Sequence, residues 1–205
     1  LKEAYQEQMD RAQDFVREHQ ILTLPEGERV ITLDTPPAMR RSSPFGTFEM
    51  VDPFDDGLEG RLFLTPVEDW MTPEQKAARL RSHHNSWIPV IAVHEAYPGH
   101  HAHGIKLKEN PNLLRRVVSE SIFTEGWGLL TEELMFDMGF LKGDGVRLTV
   151  RATRRRRFAD AGWADTLVEV PAQRLEDRLT GGVHEPRQEA GRRMLCAADV
   201  LCRFP

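Results

Sequence analysis

Trp87-Ile88-Pro89-Val90-Ile91-Ala92-Val93-His94-Glu95-Ala96-Tyr97-Pro98-Gly99-His100-His101 is the stretch on which the reading of this chain turns. Trp87, Ile88, Val90, Ile91 and Val93 are apolar on nearly every side of a helical projection, which predicts a buried helix. Asn85-Ser86 offer a cap for it, and Pro89 is tolerated in a first turn. The helix delivers His94 and Glu95 at its end, and His100 and His101 follow shortly after. Six of the eight histidines fall between His83 and His103, so the supply of imidazole is local. Neutral nitrogen donors beside carboxylates are the donor types of a catalytic zinc centre.

The spacing is unusual. Two histidines share a metal on a regular helix when they stand at i and i+4, about 40° apart and one turn along. The fourth residue after His94 is Pro98, so that pattern fails. In a straight helix His100 points about 240° away, and His101 sits about 10.5 Å further along the axis. Neither could then join His94 on one zinc at about 2.0–2.1 Å. Pro98-Gly99 removes the objection. Proline deletes a helical hydrogen bond and clashes with the preceding turn, and glycine frees the backbone. Two looped-out residues return His100 to the place of an i+4 ligand, with His101 as its competitor. Glu95 directly follows the first ligand, so it is placed to meet a water rather than the metal, as a general base. Glu125 is the third candidate ligand, separated from His100 by a length that fits a turn and an antiparallel helix. Glu132, two turns beyond Glu125, is positioned to hold an imidazole N–H. Trp127 reads as a packing residue. The competing reading is that four histidines in ten residues form a solvated polar turn or an adventitious metal binder.

Working outward, residues 2–19 carry Ala4, Met9, Ala12, Phe15 and Val16 at helical spacing and should stop before Leu24-Pro25. Residues 28–33 and 61–65 read as strands, and residues 34–60, rich in Pro, Gly, Asp and Ser, as an irregular connection. Thr72-Pro73-Glu74-Gln75 is a helix start, with the helix running to about His83. A further helix is expected from about Asn112 to Asp137, interrupted near Ser119 and stopped by Gly139.

The formal charge of −5 over 205 residues argues against a general nucleic-acid binder, and no apolar stretch is long enough to span a bilayer. A chain that opens on Leu1 without a methionine reads as a piece of a longer protein. Cys196 and Cys202 have neither metal-ligand spacing nor a disulfide framework around them. From Lys142 onward there are twelve Arg and one Lys against nine acids, about +4, leaving about −9 for the rest. Residues 154–157 are consecutive arginines. That stretch reads as a basic binding tail, a solvated and loosely folded terminus, or a sequence out of its native frame. The division expected is therefore a catalytic region over 1–141 and an Arg-rich tail over 142–205.

His94-Glu95-Ala96-Tyr97-Pro98-Gly99-His100-His101, followed by Glu125-Gly126-Trp127 and an acid at Glu132, resembles the signature of the bacterial family called domain of unknown function 885. The resemblance spans residues 1–140. It implies a mainly α-helical, gluzincin-like zinc peptidase with Zn2+ on His94, His100 and Glu125 and with Glu95 as catalytic base. His101 and Glu132 would stand behind the ligands. The substrate expected of such a site is a short peptide or another small amide. The family's later tyrosine-containing motifs have no counterpart after residue 142, and the chain holds only Tyr5 and Tyr97. Tyrosine is a natural oxyanion donor in such sites. Arg151 and His184 are substitutes without a spacing argument. The rival expectation is a catalytically inactive relative that keeps a metal or binds peptides.

Overall fold

The computed structural model describes residues 1–118 and 120–151. The basic run 154–157, Cys196, Cys202 and His184 lie outside the described residues. The fold is mainly helical with one small sheet. Helix α1 (Lys2–Glu18) buries Tyr5, Met9, Ala12 and Val16, spaced four, three and four residues apart, which is one continuous stripe. The stripe lies against α3 (Ile88–Glu95), and α6 (Ser121–Asp137) packs on α3 as well. Helix α3 is therefore the axis of the core. Ile88, Val90, Ile91, Ala92, Val93 and His94 are all buried, as its unbroken apolar character requires.

The sheet has the order β1–β3–β2, with β1 (Arg29–Asp34) parallel to β3 (Glu59–Leu64) and β2 (Gly46–Glu49) antiparallel to it. Strand β2 and a short 3-10 turn at Pro37–Met39 lie inside residues 34–60, which therefore are not wholly irregular. Three of the four β2 residues are half-buried and the fourth is exposed, so the segment carries no apolar alternation. Its pairing with β3 supplies what its sequence lacks.

Helix α2 (Pro73–Ser82) starts with a full capping box: Thr72 accepts from the Gln75 N–H, and the Gln75 side chain accepts from the Thr72 N–H. Asn85-Ser86 do not cap α3. Its N-cap is Trp87 without a side-chain bond, and the His84 carbonyl accepts from the Trp87 and Ile88 N–H groups in a preceding turn. After α4 (His100–Lys108), the expected interruption separates α5 (Leu113–Val117) from α6, and Val118 and Glu120 are extended. Gly139 follows α6 with φ +83°, the left-handed position that glycine tolerates. Packing does not end at residue 141: residues 144–151 are helical, and Val146 is buried in the core cluster. Among the described residues no helix is long and apolar enough to cross a membrane.

His83 ties α2 to α1. Its Nδ1 lies 3.0 Å from the Tyr5 hydroxyl, and the Phe45 ring stacks on it at 4.1 Å. Burial, with the Arg79 guanidinium adding to it, pushes the His83 pKa from 6.5 down to about 4. The folded imidazole stays neutral where the unfolded one charges. Its contribution is present above pH about 6.5 and is lost as pH falls towards 4. The urea midpoint of the metal-free protein should therefore fall across that window. His83→Gln should flatten this slope by at most ~1.4 kcal/mol per pH unit. An unchanged slope in the variant would assign the acid sensitivity elsewhere.

Candidate metal centre

Helix α3 ends at Glu95 and α4 begins at His100, so the kink at Pro98-Gly99 separates two helices rather than bulging one. The Tyr97–Pro98 peptide is cis. Gly99 has φ −69°, so it is needed for space rather than for a left-handed backbone. A Cβ there would lie 1.9 Å from the His94 carbonyl oxygen and 2.3 Å from that of Val93. The close approach turns His100 back onto the end of α3, and the His94 and His100 rings stand 4.6 Å apart at 81°.

Helix α6 supplies the carboxylates. The ligand atoms of His94, His100 and Glu125 lie within 4.8 Å of one another. His94 Nε2 is 3.4 Å from one Glu125 oxygen, and His100 Nε2 is 3.5 Å from the other. Two ligands of one tetrahedral zinc, each about 2 Å from it, stand roughly 3.3 Å apart, so the three groups fit the ion. His94 and His100 are buried, whereas the Glu125 side chain is 49% exposed, so the cluster opens to solvent on the α6 side. Behind it, His94 Nδ1 lies 2.7 Å from Oε1 of the fully buried Glu132. A carboxylate there accepts Nδ1–H and leaves Nε2 with its lone pair towards the cluster. Glu95 Oε2 is 4.0 Å from His100 Nε2, beside the trio and outside it.

His101 goes elsewhere. It follows His100 on α4 but faces away from the cluster, with its Nε2 2.9 Å from Oε2 of Glu28. It neither competes for the ligand position nor stands behind the ligands. Successive helical residues diverge by about 100°, so only one of the pair can face His94.

Three features carry no signal in the sequence pattern, and a fourth, Trp127, reads there only as packing. Glu28 is a buried carboxylate where a strand start was expected. Trp127 does more than pack: its indole N–H donates to the carbonyls of Pro98 (3.0 Å) and Gly99 (3.2 Å), fastening α6 to the kink. Gly128 leaves room for the His94 ring. His103, one turn after His100, is buried beside Phe123 and Trp127, and burial, then His100, pushes its pKa down to about 4. Glu125 was legible through the Glu-Gly-Trp run.

The model of a family described as "Bacterial protein of unknown function (DUF885)" matches residues 1–161. The chain belongs to that family. No curated protein matches this DUF885 chain. Among solved structures it is similar to one described as "a putative lipoprotein of unknown function" from Shewanella oneidensis, with a TM-score of 0.62 and 18% identity over 95% of this chain and 35% of that one. It is also similar to a "putative lipoprotein" from Colwellia psychrerythraea, with a TM-score of 0.53 and 19% identity over 92% and 32% of the two chains. At these identities the likeness concerns the fold. The DUF885 chain spans about a third of the length of these solved relatives.

Proposed function

We propose that this DUF885 chain is a gluzincin-like zinc metallopeptidase, hydrolysing peptide or small amide bonds. The observation that carries the reading is the convergence of His94, His100 and Glu125 on one point, with Glu132 behind His94. His94 Nε2, His100 Nε2 and a Glu125 oxygen would hold the ion. Zinc, when bound, supplies Lewis acidity that polarises a carbonyl and acidifies water. Glu95 accepts the proton of the attacking water at its carboxylate and returns it to the leaving nitrogen. Glu132 keeps the His94 ring in its Nε2-ligating tautomer and orientation. The exposed side of the cluster at Glu125 leaves it open to solvent, and the peptide or small-amide class rests on the family resemblance.

A second reading has its own observation. Both tyrosines are engaged: the Tyr5 hydroxyl pairs with His83, and the Tyr97 hydroxyl donates to Glu28 at 2.7 Å. Neither faces the cluster as an oxyanion donor, which favours an inactive metal- or peptide-binding relative.

Metal content separates these readings from a metal-free one. Purified wild-type protein should hold about one zinc per chain by mass spectrometry, lost in His94→Ala. A folded wild type without stoichiometric metal would sink both. Zinc together with cleavage of short peptides supports the peptidase, and zinc without cleavage supports the inactive relative.

A further inference from the structure

We propose that Glu28 is a positioning residue for this centre: it pins both ends of the turn that carries His100. The inference rests on the metal-binding reading above. Glu28 lies just before β1, with a fully buried side chain. Four donors surround it. Gln13 Nε2 and Arg17 Nη2, both from α1, reach Oε1 at 2.7 and 2.9 Å. The Tyr97 hydroxyl and His101 Nε2 reach Oε2 at 2.7 and 2.9 Å.

Tyr97 and His101 flank Pro98, Gly99 and His100. One carboxylate oxygen therefore holds the residue before this turn and the residue after it. Trp127 holds the turn from the other side through the Pro98 and Gly99 carbonyls. The ligand His100 is set between the two clamps.

The sheet is shaped to this purpose. Gly60 on β3 faces His101, and a Cβ there would lie 2.6 Å from His101 Nδ1. That nitrogen has no hydrogen-bond partner among the described residues, and the ring is held through Nε2. Burial raises the Glu28 pKa, but the hydrogen bonds from His101, Tyr97, Arg17 and Gln13 outweigh it and hold the group at about 2. It is an acceptor only, matched to four donors. A buried ion network is weak evidence for stability, and apolar replacements of equal volume often do as well. What a fully satisfied network supplies is one geometry.

The test uses the full chain and two metals, Zn2+ for affinity by chelator competition and Co2+ for its visible absorption. Glu28→Gln keeps the volume and loses the acceptor set. It should weaken Zn2+ binding about 10-fold, near the lower end of what outer partners of metal ligands contribute, and change the Co2+ spectrum. Gly60→Ala, which displaces the His101 ring without touching Glu28, and Tyr97→Phe should shift both readouts the same way by less. These two carry the test if Glu28→Gln does not fold. Met9→Ala, in the core stripe and contributing no hydrogen bond to the network, should lower Tm and leave both readouts at wild type. Wild-type affinity and spectrum in the folded variants would overturn the positioning role alone, as would equal losses in Met9→Ala. A wild type that binds neither metal overturns the metal-binding reading itself, and this role with it.

Discussion

Glu95→Gln is expected to lower zinc-dependent cleavage of short peptides about 10²–10⁴-fold, the usual contribution of a positioned general base, while zinc content stays at about one per chain. The separation of the two effects follows from the geometry. Glu95 is not a member of the trio, yet its Oε2 lies 4.0 Å from His100 Nε2. Its side chain is largely buried at the end of α3, directed to the same space as the ligands. Glutamine keeps the size and the dipole and cannot take a proton. The measurement is kcat on a peptide cleaved by the wild type, with zinc counted by mass spectrometry on the same samples. Undiminished cleavage would remove Glu95 from the chemistry. Loss of zinc in the variant would make it a ligand instead.

Gly128→Ala should have the second large effect, although its added group is one methyl. A Cβ at Gly128 would sit 2.3 Å from His94 Cε1, 2.6 Å from Nδ1 and 2.8 Å from Nε2. All three atoms belong to a rigid ring held by Glu132 at 2.7 Å. Either the ring rotates out of that hydrogen bond or α6 moves off α3, and both separate His94 from Glu125. Zinc affinity should fall by roughly 100-fold, as when an outer partner is lost outright. Overpacking should cost about 1–3 kcal/mol of stability, partly offset by the ~1 kcal/mol that alanine gains over glycine in a helix. Gly126→Ala is the internal comparison, because a Cβ there meets nothing within 4 Å. It should leave affinity unchanged and raise stability by about 0.5–1 kcal/mol. Chelator competition and thermal unfolding on the two variants decide the point, and equal behaviour would refute the contact.

The two glycines are indistinguishable as sequence. They stand two residues apart on one helix, one facing open space and the other an imidazole. The same limit applies to Glu28, which reads as the polar end of a strand. Its partners come from positions 13, 17, 97 and 101, and no local pattern connects them. Strand β2 went unread for a related reason: its half-buried residues have no alternation, and its hydrogen bonds depend on β3.

What the amino-acid sequence by itself determined is whatever depends on neighbours along the chain. The stripe of Met9, Ala12 and Val16 specified α1, and Thr72-Pro73 with Gln75 specified the start of α2. The apolar run before His94 specified a buried helix, and the spacing of His94, Pro98, Gly99 and His100 required a break between two histidines directed to one place. Only the tertiary structure decided that His100 and not His101 turns inward, that Glu125 meets both imidazoles, and which glycine each ring needs. Periodicity and capping are short-range, set by backbone geometry within one or two turns. Convergence of side chains from α3, α4 and α6 is set by how whole elements pack, where a rotation of one residue, about 100°, exchanges a ligand for its neighbour.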